Sequence, residues 1–149
     1  MQTVALRYGL RLIRQKAGLG LGDYVMDKLN TYLPLVARVL IAVLFLLAGF
    51  GKTMDVAGTA GYMASVGLPG FLAWPAIIFE IGVGVLLIAG WQTRIVGLVG
   101  AAFCIVTAVL FHNNFADQMQ MVSFLKNLAI AGGFLLLAAN GAGKYAVDK

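Results

Sequence analysis

The chain has 149 residues, room for one domain, with 61% hydrophobic residues, 11% charged residues and a formal net charge of +5. Soluble domains run at roughly 45–50% apolar and about 25% charged, so too few polar side chains are present to cover a water-facing surface. The expected fold is all-α: an antiparallel bundle of four transmembrane helices over residues 31–142, in contact with a lipid bilayer. Cys104 is the only cysteine, which excludes an intrachain disulfide and a CxxC pair able to shuttle electrons.

Residues 1–30 are polar by comparison. Arg7, Arg11, Arg14 and Lys16 precede any acid, the first being Asp23. As a helix, the three arginines share one face beside a stripe of Leu6, Leu10, Ile13 and Ala17, the pattern of a helix lying in the headgroup plane. A disordered basic tail fits the same residues. An isolated basic cluster ahead of apolar helices suits anionic lipid headgroups rather than nucleic acid. Since the first long apolar run begins only at Leu33, a cleaved signal peptide is not expected, and the stretch has little of the Ser or Thr of a transit peptide.

Four apolar runs follow, at about residues 33–51, 71–90, 95–111 and 121–139. Each is roughly 17–20 residues, enough to cross a hydrocarbon core of about 30 Å. Pro34 is expected in the first turn of the first span. Trp74 and Trp91 flank the second as interfacial anchors. Between the first two spans, residues 55–66 are expected to form a short outer helix ending at the turn 67–70. The turn 91–94 is tight and makes spans two and three antiparallel neighbours; residues 112–120 join spans three and four. Four spans put both termini and the turn 91–94 on one side, with Arg7, Arg11, Arg14, Lys16, Lys28, Arg94, Lys144 and Lys149, leaving Lys52 and Lys126 on the other. The positive-inside rule then predicts both termini in the cytoplasm, the segment 1–30 and the tail 143–149 included.

Glu80 is the most informative residue, because a charge near the centre of a span costs at least ~2.5–3.5 kcal/mol unless paired or neutralised. Counted inward from Phe71 it lies roughly 14 Å deep, and Arg38, counted from Phe50, roughly 18 Å. The near-equal depths predict an intramembrane ion pair between Arg38 and Glu80, serving helix register or a proton or substrate contact. At the outer face Lys52, His112, Asn113, Lys126 and Asn127 come from three spans at one level, a candidate site for an anionic or quinone-like headgroup, with His112 able to exchange a proton near neutral pH. Taken singly, such residues also snorkel or cap helix ends. Met54, Met63, Met119 and Met121 are too irregularly spaced to predict a metal site. Gly97, Ala101, Cys104 and Ala108 on span three, and Gly82 and Gly84 on span two, read as packing surfaces.

The segment 38–52, RVLIAVLFLLAGFGK, resembles the first-helix signature of the DoxX family of small bacterial membrane proteins. The segment 80–94, EIGVGVLLIAGWQTR, is similar to that family's second helix, and FHNNFAD (111–117) and KN (126–127) to a branch found in proteobacterial inner membranes. The resemblance covers residues 33–145, and Arg38, Gly49, Lys52, Glu80, Gly84, Gly90, Arg94 and His112 match its motifs. It implies a four-helix inner-membrane bundle, associated with thiosulfate–quinone electron transfer and with complexes linking sulfur metabolism to oxidative-stress defence. The chain carries no self-contained catalytic motif: no haem-ligand histidine pair, flavin fingerprint or CxxC. The expectation is therefore an accessory or anchor subunit of a quinone- or sulfur-linked redox system, with a quinone as cofactor and a redox protein as partner. A transporter gated by Arg38 and Glu80, a homodimer supplying the missing size, and a purely structural assembly protein are the competing readings.

Overall fold

The computed structural model describes residues 21–148; the amphipathic segment expected around Arg7, Arg11, Arg14 and Lys16 lies outside the described residues. The described regular structure is helical throughout: α1 (Leu21–Met54), α2 (Val56–Ser65), a 3-10 turn (Gly70–Leu72), α3 (Ala73–Ala89), α4 (Thr93–Phe111) and α5 (Gln118–Asn140). α1, α3, α4 and α5 are long and apolar enough to cross a membrane. The four-span architecture is as expected. Their lipid-facing flanks carry Leu40, Leu47, Ile78, Ile95 and Leu136, all mostly exposed.

α1 starts twelve residues before the apolar run does, and Pro34 lies within it rather than in its first turn. Local interactions carry the helix back beyond the apolar region. Asp23 in the first turn complements the helix dipole, the Lys28 ammonium sits 5.5 Å from the Tyr24 ring centroid, and the Thr31 hydroxyl donates to the Asp27 carbonyl at 2.9 Å. Tyr32 stacks on Tyr145 of the C-terminal tail at 5.4 Å. α5 likewise starts three residues early because Asp117 caps it, its carboxylate accepting from the Met119 N–H at 2.8 Å.

Within lipid, helix association rests on close packing of small residues rather than on water exclusion, and glycines decide who packs on whom. α1 lies tightly along α3: a Cβ on Gly49 would stand 3.2 Å from the Ile81 nitrogen, and one on Gly84 3.2 Å from the Ala42 carbonyl oxygen. α4 lies tightly along α5, where a Cβ on Gly97 would come within 2.7 Å of the Phe134 carbonyl oxygen. Spans two and three, joined by the turn at residues 90–92, are antiparallel as expected, but their mutual contact is slight beside these two pairs. The bundle is therefore two close-packed couples facing each other. Ala42, Phe45, Val83, Leu87, Ala101, Cys104, Phe134 and Leu137 fill the core between them.

Candidate functional site

Both buried charges are held, but not by each other. Glu80 is 6% exposed on α3. Its carboxylate oxygens both accept from the Lys52 ammonium at 2.8 Å. Lys52 reaches it from the last turn of α1 and also points at the Ala48 carbonyl, 3.5 Å away. Arg38, fully buried, donates instead to the Leu87 and Ile88 carbonyls at 3.0 and 3.4 Å and to the Tyr145 carbonyl of the tail. The expected Arg38–Glu80 pair is thus replaced by Lys52–Glu80, with Arg38 capping α3. Register is the reason. Equating the ends of the apolar runs sets Phe50 level with Phe71, whereas the Gly49 and Gly84 contacts slide α1 by about eight residues against α3, or roughly 12 Å. That shift carries Arg38 to the α3 C-terminus, where unpaired carbonyls need donors. Gly90, at φ 67°, ends the helix there, and a side chain on it would collide with the Arg38 guanidinium. Arg94 does the same for α5, donating to the Ala138 and Ala139 carbonyls at 3.0 and 2.8 Å.

Between the two helix couples, in the half of the bundle that carries α2, lies a cavity of about 670 Å³. Lys52, His112, Lys126 and Asn127 all line it, so four of the five residues expected to converge do so; Asn113 is exposed and does not. Glu80 joins them, and Cys104 lines the wall as a buried packing group. α1, α3 and α4 contribute Phe45, Phe79 and Phe103 to the lining, with the Phe103 ring centroid 6.2 Å from that of Phe45 and 4.5 Å from that of Phe79, and Phe45 meets Phe134 edge-on at 5.1 Å. The rest of the wall is apolar apart from the hydroxyls of Thr59, Tyr62 and Thr107.

The expected short outer helix is present as α2, capped by Asp55, whose carboxylate accepts from the Gly58 N–H at 2.7 Å. It lies against the end of α4. Tyr62 stacks on Phe111 at 5.3 Å and donates to the Phe111 carbonyl at 3.1 Å, while Met63 is buried beneath. His112 Nδ1 lies 2.9 Å from the Gln120 side-chain oxygen. Tyr62, Thr107 and Gln120 are site residues that sequence reasoning misses. A polar residue in a loop or on an otherwise apolar helix carries no mark of which neighbour it will face. Only Gln120, eight residues after His112 across a short connection, offered a weak hint.

The DoxX family profile matches residues 33–113, more than half of the chain and most of this cavity's lining. The chain belongs to the DoxX family. Among DoxX-like relatives, inner membrane protein YqjF of Escherichia coli (strain K12) is 46% identical over 83% of this chain and 95% of its own length. Inner membrane protein YphA of the same organism is 36% identical, over 77% and 87% respectively. "Putative oxidoreductase CatD" of Bacillus subtilis (strain 168) is 31% identical, over 68% and 81%. No solved structure matches.

Proposed function

We propose that this DoxX-family protein holds a lipid-soluble ring compound, a quinone or its hydroquinone, in the α2-end cavity, as an accessory or anchor subunit of a membrane redox system. The observation that carries the reading is the cavity itself: about 670 Å³, walled by aromatic and aliphatic groups, with the Lys52–Glu80 pair at 2.8 Å on its inner wall. Binding sites for compounds of this size are concave, mostly apolar and carry a few placed polar groups. Phe45, Phe79 and Phe103 present ring faces and edges to a flat ligand. Such a ring, when bound, supplies two-electron chemistry that no group of this chain can perform. Glu80, held in place by Lys52, orients it, and His112 adds a ring nitrogen at the end of α4. The word "oxidoreductase" in the name of the Bacillus subtilis relative supports a redox setting. Passage of a solute through the bundle is disfavoured by the aromatic wall of the cavity, and Arg38, the residue that would gate it, is engaged by three carbonyls.

The same reading places the chain in an inner membrane, as its Escherichia coli relatives are named. Lys28, Arg38, Arg94 and Lys144 lie at the tail end of the bundle and Lys52 and Lys126 at the α2 end, which points the tail end to the cytoplasm by the positive-inside rule. A reporter active only outside the cytoplasm, inserted after Asn114, should be active, and the same reporter on the C-terminus inactive. The binding claim is tested by purification in native-lipid nanodiscs, solvent extraction and chromatography of the extract. Quinone or its hydroquinone should co-purify close to one per chain, and occupancy should fall roughly tenfold in Glu80→Gln, the loss of one charge-assisted contact. Absence of quinone from the wild-type extract, together with no binding of added quinone or hydroquinone, would refute it.

A further inference from the structure

We infer that the cavity selects the hydroxyl-bearing form of its ring ligand, because Gln120 and Lys52 make His112 Nε2 and the Glu80 carboxylate hydrogen-bond acceptors on its wall. This rests on the reading above, that the cavity takes such a ring, and adds which form it takes and which residues decide. The Gln120 side-chain oxygen, 2.9 Å from His112 Nδ1, has only lone pairs to offer, so Nδ1 carries the hydrogen. A neutral imidazole has one N–H, which leaves Nε2 as a lone pair. Each Glu80 oxygen receives one bond from Lys52 and no other from the described residues, so each keeps a free lone pair.

The hydroxyls on the wall have committed their protons elsewhere. Tyr62 donates to the Phe111 carbonyl at 3.1 Å, Thr107 to the Phe103 carbonyl at 2.9 Å and Thr59 to the Asp55 carbonyl at 2.9 Å. All three present acceptor oxygens. Lys52 spends two of its three donors on Glu80 and turns the third towards Ala48. The remaining donors, Lys126 and Asn127, sit on α5; Lys126 is exposed and kept in contact with water by its long stem. A quinone carbonyl only accepts, and on this wall it would meet lone pairs everywhere except along the α5 edge, where Asn127 and Lys126 lie. A hydroquinone donates and is matched. A buried acceptor left without a donor costs more than a hydrogen bond returns, which gives the wall its selectivity.

The test is the affinity, in nanodiscs under anaerobic conditions, of a decyl-substituted hydroquinone, the corresponding benzoquinone and the hydroquinone's dimethyl ether, read by quenching of intrinsic fluorescence. In the wild type the hydroquinone should bind about tenfold tighter than either of the others, the effect of one or two hydrogen bonds. In Gln120→Leu and in His112→Phe that ratio should drop to about threefold or less; taken within each variant, the ratio is insensitive to a change of the cavity that weakens all three compounds alike. Benzoquinone binding as tightly as hydroquinone in the wild type would overturn the inference and leave the proposed function standing. A ratio unchanged in both variants would overturn the assignment to His112 and Gln120. If none of the three compounds binds, this inference and the proposed function fall together.

Discussion

Lys52 decides whether Glu80 can stay charged inside the bundle. Its side chain is 31% exposed and that of Glu80 8%, so the pair is partly reachable by water and weaker than a fully enclosed one. Lys52→Gln and Glu80→Gln should each lower stability, and the double variant should lose less than their sum. The expected coupling is about 1–2 kcal/mol, read from thermal unfolding in detergent. Arg38→Leu combined with Glu80→Gln should be additive, since the two side chains share no contact. Strong coupling there with none between Lys52 and Glu80 would restore the Arg38 pairing and refute the register described. At this scale the sequence was legible in part. It marked Arg38 and Glu80 because charge in an apolar run is costly, and Lys52, His112 and Lys126 because they fall at one level on three spans. It did not say who partners whom, because a depth counted along one helix carries no information about the offset of the next.

At the scale of elements, Gly49 and Gly84 hold one helix couple together and Gly97 the other, whereas Gly82 packs on nothing. A Cβ on Gly97 would press on the Phe134 carbonyl and on the Ala138 nitrogen at 2.9 Å, both backbone, so α4 and α5 must separate to admit it. Gly97→Ala should destabilise by about 1–3 kcal/mol, as overpacking of a close contact does. Gly82 has nothing within 4 Å. Gly82→Ala should be neutral or stabilising by up to about 1 kcal/mol through helix propensity. Thermal unfolding of the two variants side by side separates packing from propensity. The sequence placed both in small-residue stripes and could not tell them apart, since one faces a helix and the other does not. Helix α2 was visible in advance from Asp55 and the Gly67–Pro69 turn. The early start of α1 was not, because it rests on local pairs around Tyr24, Lys28 and Tyr32 in a stretch with no apolar run to announce it.

For the whole molecule, the C-terminal tail closes the end opposite the cavity. Val147 and Asp148 donate through their backbone N–H groups to the Ala89 and Gly90 carbonyls, each at 3.0 Å. The Asp148 carboxylate caps α4, accepting from the Thr93 and Gln92 N–H groups at 2.8 and 2.9 Å. These two bonds, Thr93 first, hold the carboxyl below its ordinary value of 3.8. A lowered carboxylate value means that the contribution is complete above the ordinary value and disappears as acid passes through the lowered one. The tail should therefore stay docked from pH 8 down to about pH 4 and release only in stronger acid. Asp148→Ala should undock it at pH 7. Hydrogen exchange of the Gln92 and Thr93 amides reports both effects, and equal protection in the variant and the wild type would refute the cap.

Composition and hydropathy by themselves determined the number of spans, their antiparallel order and the residues too costly to lie in lipid unpaired, because transfer of side chains between water and hydrocarbon depends on residue type alone. Only the tertiary structure decided that Lys52 neutralises Glu80, that Arg38 caps a helix end, and that a cavity opens between two helix couples. Those outcomes depend on interhelical offset, and in a bilayer the offset is set by where glycines let two backbones touch, a steric fit between distant segments that no single segment specifies.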